Sequence, residues 1–336
     1  MHNVGPVEVV DYHTAGEPFR IVVSGGPELP GDTALQRRAA AVEHADDVRR
    51  LLVNEPRGHA DMYGCFVTPP DDGGGDIGVV FFHKDGYSTA CGHGTIALVT
   101  WAVESGLVAG DGETRRVVVD APSGRLETRA ELVDGRVTAV SFVNVPSYVS
   151  GRQIPVQLAD GVVGIDVAYG GAYYASVDVA DLGMTIEPAN LGVFIALGRE
   201  IKEILETNEA VHHPVDARLS GLYGTVFYEG MGCREDGLHQ RNVTIFADGE
   251  VDRSPCGTGT SARLAILDSR AQLARGESLI HHGILGTTFT GRVVGNGSVG
   301  GLHGVVTEIR GAAYRIGHGV FTLDERDPLG LGFQLR

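Results

Sequence analysis

The chain states one pattern twice, and this repetition constrains its fold more than any other feature. Asp11-Tyr-His-Thr-Ala-Gly16 is answered by Asp166-Val-Ala-Tyr-Gly-Gly171, with five residues from Asp to Gly in both. Met62-Tyr63-Gly64-Cys-Phe-Val67 is answered by Leu222-Tyr223-Gly224-Thr-Val-Phe227, and Cys91-Gly-His-Gly-Thr by Cys256-Gly-Thr-Gly-Thr. The offset stays near 155 to 165 residues throughout. Solenoid repeats have much shorter periods, so this is duplication of a domain. The expected fold is α/β of the α+β type: two similar duplicated domains around a central cleft, over residues 1–155 and 156–336, the C-terminal end packing back on the first half.

Local patterns agree with two parallel accounts. Val7 to Val23 reads as strand, tight glycine turn, strand, and Gly164 to Val177 repeats it. Residues 30–53 predict a helix, with Pro30 and Asp32 at its start and Ala40, Val42, Val48, Leu51 and Leu52 on its apolar face. Residues 188–207 predict its counterpart through Leu191, Ile195, Ile201, Ile204 and Leu205. Strands are expected at Ile77–Phe82 and Asn242–Phe246, each leading into a cysteine motif, with further short strands at 117–119, 126–132 and 137–145.

Composition narrows the function classes. A formal net charge of −16 argues against nucleic acid and anionic membrane surfaces as partners. No apolar run approaches a membrane span, and the N-terminus lacks the basic start and apolar core of a signal peptide. Four cysteines in 336 residues make no disulfide framework, so a reducing cytoplasm is the expected compartment. The 49 glycines are about twice the usual share, which calls for many turns and close backbone approaches.

The chemistry concentrates at the two cysteine motifs. A cysteine at a helix start feels the positive end of the helix dipole, which favours thiolate. The Gly-x-Gly that follows lets bare N–H groups approach an anion such as a carboxylate. Free cysteine is more often a small buried hydrophobe, and Cys65, between Gly64 and Phe66, reads that way. Cys233 reads as an exposed loop thiol. Cys91 and Cys256 do not fit the bland reading, because each opens an apolar helix-like run after Gly-x-Gly-Thr. His93 sits inside the first turn and is expected to touch a ligand. Asp252, four residues before Cys256, can bind an ammonium group; the plainer role is a cap or a partner of Arg253.

Other site types are disfavoured. Cys91-x-His93 is too short for zinc spacing, and neither CxxC nor HxxxH occurs. The adjacent pairs His212-His213 and His281-His282 do not easily aim at one metal. Neither Gly-x-Gly opens a dinucleotide or Walker pattern, and no lysine motif points to pyridoxal phosphate.

At these residues the chain resembles the proline racemase superfamily. The resemblance covers nearly its whole length: Asp11-Tyr-His-Thr-Ala-Gly-Glu-Pro, Glu55-Pro-Arg-Gly-His-Ala-Asp-Met-Tyr-Gly, Cys91-Gly-His-Gly-Thr, Asp166-Val-Ala-Tyr-Gly-Gly and Asp252-Arg-Ser-Pro-Cys-Gly-Thr-Gly-Thr. It implies a diaminopimelate-epimerase-like fold, often dimeric, working without metal or pyridoxal phosphate. It implies Cys91 and Cys256 as an acid/base pair, and His93 and Asp252 at the substrate nitrogen. Gly92, Gly94, Gly257 and Thr258 would offer donors to the substrate carboxylate.

The family holds proline racemases, 4-hydroxyproline 2-epimerases and trans-3-hydroxyproline dehydratases. Gly86-Tyr-Ser-Thr and Gly170-Gly-Ala-Tyr-Tyr-Ala resemble the dehydratase branch, which typically carries threonine where this chain has Cys256. Inversion needs a second base on the opposite face and dehydration does not. The sequence therefore favours a proline or 4-hydroxyproline racemase or epimerase over a trans-3-hydroxy-L-proline dehydratase. An amino-acid-binding protein, indifferent to Cys-to-Ser exchange, and a thiol redox protein, cycling a Cys91–Cys256 disulfide, are the readings from other classes. Tyr63, Tyr173 and Tyr223 are candidates for reading the ring.

Overall fold

The computed structural model describes residues 4–335. The chain forms two compact units: one runs to Val140 and takes back the chain from Ala312 onward, and the other is Ser141–Gly311. In the first unit come β1 (Val7–Thr14), β2 (Glu17–Ser24), α1 (Ala34–His44), α2 (Asp46–Val53), β3 (Tyr63–Thr68), β4 (Ile77–His83) and β5 (Gly86–Tyr87). They are followed by α3 (Gly92–Glu104), β6 (Thr114–Ala121), β7 (Gly124–Val133) and β8 (Arg136–Val143), within which the division falls. The second unit holds β9 (Tyr148–Leu158), β10 (Gly161–Tyr169), β11 (Tyr173–Asp178), α4 (Leu191–Leu205), β12 (Leu222–Arg234), β13 (Gly237–Phe246) and β14 (Glu250–Asp252). Then follow α5 (Gly257–Ser269), β15 (Leu279–His282), β16 (Thr288–Val299) and β17 (Leu302–Gly311). β18 (Ala313–Phe321) returns to the first unit.

The duplication in the sequence is a duplication of topology. In the first unit β1 and β2 are antiparallel, β2 and β3 parallel, β3 and β4 antiparallel, and β4 and β6 parallel. The second unit repeats this with β10–β11, β11–β12, β12–β13 and β13–β15. Each parallel pair needs a crossover, and helices supply it: α1 and α2 or α4 for the first, α3 or α5 for the second. The opening hairpin turns on Ala15 and Gly16, both at positive φ (53° and 97°), which is the twist that a two-residue connection between strands requires.

The expected boundary at residue 155 is corrected to the neighbourhood of Val140. The reason lies in the last strand of each repeat. β9 follows the first repeat in sequence but pairs with β10, Ile165 opposite Ile154. β18 follows the second repeat but pairs with β1, Val7 opposite Phe321. The helix expected over 30–53 is two helices, because Ala45 (φ −117°, ψ 9°) closes α1 and Asp46 and Asp47 begin α2. The helix expected from 188 begins as a single 3-10 turn over Pro188–Asn190 before α4. Cys233 lies at the exposed end of β12 and not in a loop.

α3 is buried from Gly92 to Thr100, and α5 from Gly257 to Leu267. Helices apolar all round are core helices, and these carry both cysteine motifs into the interior of their own units. Among the described residues, no helix is long and apolar enough to cross a membrane.

Candidate active site

Each unit builds one cysteine-capped helix start. Cys91 is the N-cap of α3, in extended conformation (φ −153°, ψ 106°), and its sulfur accepts the Gly94 N–H at 3.2 Å. The thiol thus takes the place usually held by a Ser, Thr or Asp oxygen. Thr95 Oγ1 donates to the Cys91 carbonyl (2.8 Å), and Thr14 Oγ1 to the His93 carbonyl (2.9 Å), fastening the first turn of α3 to β1.

His93 is brought to the sulfur. Its Nε2 and Nδ1 lie 3.5 and 3.6 Å from Cys91 Sγ. The ring stands edge-on between Tyr63 (centroids 4.9 Å apart) and Phe19 (5.6 Å), and the Tyr63 hydroxyl is hydrogen-bonded to Ser88 Oγ. Tyr63, a candidate ring reader, therefore buttresses His93.

In the second unit Asp252 ends β14, and its Oδ1 accepts the Ser254 N–H at 2.8 Å. Ser254 Oγ accepts the Cys256 N–H at 3.1 Å. Asn242 Nδ2 and Thr260 Oγ1 both donate to the Pro255 carbonyl, at 2.9 and 3.2 Å. These bonds hold Cys256 at φ +60°, ψ 101°, a region that costs a side-chain-bearing residue about 1–3 kcal/mol and persists only where its surroundings dictate it. Its sulfur caps α5 through the Gly259 N–H at 3.4 Å.

The Cys256 thiol also faces a hydroxyl pair. Tyr174 Oη lies 3.7 Å from the sulfur and 2.7 Å from Thr258 Oγ1, which is itself 4.0 Å from the sulfur. Burial pushes the Cys256 thiol up to about 12, and the Asp252 charge adds to it against the hydrogen bonds from Tyr174 and Gly259. Burial likewise lifts Asp252 to about 6, opposed by its bonds to Ser254. The resting Cys256 is therefore a thiol, beside a carboxyl group that titrates near neutrality.

Glycine is obligatory at both caps. A β-carbon on Gly259 would stand 2.9 Å from Cys256 Sγ, and one on Gly94 2.7 Å from Cys91 Sγ. One on Gly170 would collide with the Thr258 carbonyl, so the turn between β10 and β11 lies against the first turn of α5.

The structure thus gathers Cys91, Gly92, His93 and Gly94 at one helix start, and Asp252, Cys256, Gly257 and Thr258 at the other. Sequence reasoning missed Ser254, Gly259 and Tyr174. It named Tyr173, whose hydroxyl instead bonds Tyr148 at 2.6 Å and the His212 carbonyl at 2.9 Å, in the core of its unit. Successive strand residues face opposite ways, so of the two adjacent tyrosines Tyr174 takes the cysteine side. Tyr223 packs edge-on against it, centroids 5.8 Å apart. Cys65 is fully buried in β3, as expected of a core thiol, and burial pushes its pKa up. His281 and His282 point apart: His281 bonds Asn242 and Thr260, and His282 bonds His239 at 2.9 Å.

The proline racemase family model matches residues 9–334. The trans-3-hydroxy-L-proline dehydratase of Bacillus thuringiensis subsp. konkukian is 43% identical over 326 residues, covering 97% of each chain. The 3-hydroxyproline 2-epimerase of Burkholderia multivorans is 44% identical over 331 residues, covering 98% of each. A solved hydroxyproline epimerase from Agrobacterium vitis, with bound trans-4-OH-L-proline, matches 100% of this chain and 97% of its own, with a TM-score of 0.92 and 32% identity.

Proposed function

The chain belongs to the proline racemase family, and from that premise we propose that it is a cofactor-independent 2-epimerase of 3-hydroxyproline, using Cys91 and Cys256 as its two bases. The observation that carries the reading is the pair of cysteine-capped helix starts, each with its sulfur on a backbone N–H of the first turn. A second thiol at Cys256 is what inversion requires. The two curated relatives are named for 3-hydroxyproline at 43% and 44% identity, against 32% for the solved structure with the 4-hydroxy ring, and this favours the 3-hydroxy substrate.

In the proposed reaction one cysteine, as thiolate, removes the proton from Cα. The electron pair moves into the carboxylate, which becomes enediolate-like and is held by the N–H groups of Gly92 and Gly257 and by Thr258, while the Gly94 N–H stays on the Cys91 sulfur. The other cysteine, as thiol, delivers its proton to the opposite face. His93 and Asp252 serve the substrate nitrogen. One negative charge shared by two thiols suits the chemistry, since each turnover exchanges which sulfur holds the proton.

A second reading rests on the dehydratase name of the Bacillus relative. Instead of being reprotonated, the same carbanion can form the Cα–C3 double bond as the C3–O bond breaks, the leaving hydroxide taking a proton from the thiol that abstracted it and departing as water. The enamine then tautomerises to a cyclic imine. The outcome then depends on whether Cys256 reprotonates Cα faster than the hydroxyl leaves.

Proton NMR of the reduced enzyme in D2O tests both, with L-proline, trans-4-hydroxy-L-proline and trans-3-hydroxy-L-proline supplied separately. Loss of the Cα proton from the 3-hydroxy compound, with signals of the opposite Cα configuration, supports the epimerase. Imine alone supports the dehydratase, and inversion confined to proline or its 4-hydroxy form overturns the choice of ring.

A further inference from the structure

The sulfur of Cys256 has a neighbour that the proposed reaction leaves unused. Tyr174, on β11, is 1% exposed, and its phenol oxygen meets Cys256 Sγ at 3.7 Å and Thr258 Oγ1 at 2.7 Å. Its ring is fixed in a small buried cluster with Ala168, Ala172, Val226, Ala262 and Ile266. Paired opposite Ala168 on β10 and Gly224 on β12, it cannot turn away without breaking that packing.

A base that alternates between thiolate and thiol needs hydrogen-bond partners in both states, and Cys256, only 5% exposed, must find them within the protein. A phenol carries one proton and accepts as well. When Cys256 bears its proton, S–H donates to the Tyr174 oxygen and the Tyr174 O–H donates to Thr258 Oγ1. When the proton has left, both hydroxyls rotate: Thr258 O–H donates to Tyr174, and Tyr174 O–H donates to the sulfur anion. No covalent bond changes, and each state keeps a complete chain. Cys91 faces an imidazole where Cys256 faces this phenol.

Resting on the two-base reading above, we propose that Tyr174 is a reversible hydrogen-bond switch for Cys256, its O–H supporting the thiolate with which Cys256 acts as base and which is left when Cys256 has given up its proton as acid. Burial raises Tyr174's own pKa well above that of free tyrosine, so it keeps its proton and serves as a donor and not as an acid.

The test is alkylation of the full-length reduced protein with iodoacetamide at pH 8 to 9, with Cys256 and Cys91 read as separate peptides by mass spectrometry. Below its titration point a thiol alkylates in proportion to its thiolate fraction. Tyr174→Phe removes only the hydroxyl, and we expect Cys256 to alkylate roughly tenfold or more slowly while Cys91 is unchanged, in line with the loss of a hydrogen bond to a charged group. 3-Fluorotyrosine at position 174, a stronger donor of the same shape, should accelerate it, which guards against a fold defect in the phenylalanine variant. Equal Cys256 rates in wild type and Tyr174→Phe, or equal slowing of both cysteines, overturns the proposal. The readout involves no substrate, so failure of the epimerase reading would appear separately, as wild-type protein that does not invert Cα of 3-hydroxyproline.

Discussion

A β-carbon placed on Gly94 would sit 2.7 Å from the Cys91 sulfur, closer than any such pair can stand. The same atom would strike the Phe19 ring, which is itself packed edge-on to His93. The cap, the imidazole and β2 are thus locked through one missing side chain.

Gly94→Ala should therefore damage both fold and site. We expect a loss of about 1–3 kcal/mol in unfolding free energy from overpacking, read by urea denaturation. Gly259→Ala meets Cys256 Sγ at 2.9 Å and Val226 at 3.1 Å, and its larger effect should be on turnover. A Gly94→Ala protein as stable and active as wild type would refute the sulfur-capped geometry.

Asp252 titrates near 6 because burial disfavours its charge. A carboxyl group whose folded pKa is raised contributes stability below its unfolded value of 3.8, and that contribution is lost as pH rises through about 6. Above pH 6 the folded protein holds a buried charge at a cost of roughly 2–3 kcal/mol. Asp252→Asn keeps the acceptor for the Ser254 N–H and removes the charge. We expect the variant to unfold at higher urea than wild type at pH 7.5, to show no such gain at pH 4, and to lose most turnover.

His281 works in the opposite direction. Asn242 Nδ2 donates to its Nε2 and its Nδ1 meets Thr260 Oγ1, both at 2.8 Å, an arrangement made for the neutral ring. Burial pushes it down to about 3, with the charge of Arg263 adding to the effect. Its contribution is complete above 6.5 and is lost as pH falls toward 3. The windows of His281 and Asp252 overlap with opposite sign, so wild-type stability should change little between pH 6 and 4. Asp252→Asn should expose the His281 slope as a loss of stability toward acid, and His281→Gln should expose the Asp252 slope as a gain in stability as pH falls from 6 to 4. Identical acid profiles for all three proteins would show that neither group is buried as described.

What the sequence discloses is what duplication repeats. Both cysteine caps, the Asp-to-Gly hairpins and the Tyr-Gly strands could be read because each occurs twice. Tyr174 is not singled out beside Tyr173, although Ser176 and Asp178 share its face of β11 while Ala175 and Val177 share that of Tyr173, because that short alternation carries no cysteine or glycine signature and has no counterpart in the first repeat. β16 to β18 show no clear strand signal because glycines such as Gly291, Gly295, Gly304, Gly317 and Gly319 interrupt their apolar pattern. The boundary was misplaced because pairing of β9 with β10 and of β18 with β1 leaves no signal within either repeat.

Cys256→Thr asks directly whether the second thiol decides between inversion and elimination. A threonine hydroxyl keeps its proton near neutral pH and serves there as neither base nor acid, so inversion should fall by roughly 10²- to 10⁴-fold, the usual worth of a positioned acid or base. Cys91 should still remove the Cα proton from its own face. One Cα epimer of 3-hydroxyproline would then exchange deuterium or lose water, while the other, its cis or trans counterpart, stays inert. Cys256 sits at φ +60°, where a β-branched residue is strained, so the variant should also lose about 1–3 kcal/mol of stability. Cys256→Ser carries less of that strain and separates the two effects: the same loss of inversion with a smaller shift in the urea midpoint. Undiminished inversion in Cys256→Ser would remove Cys256 from the reaction and, with it, the two-base mechanism.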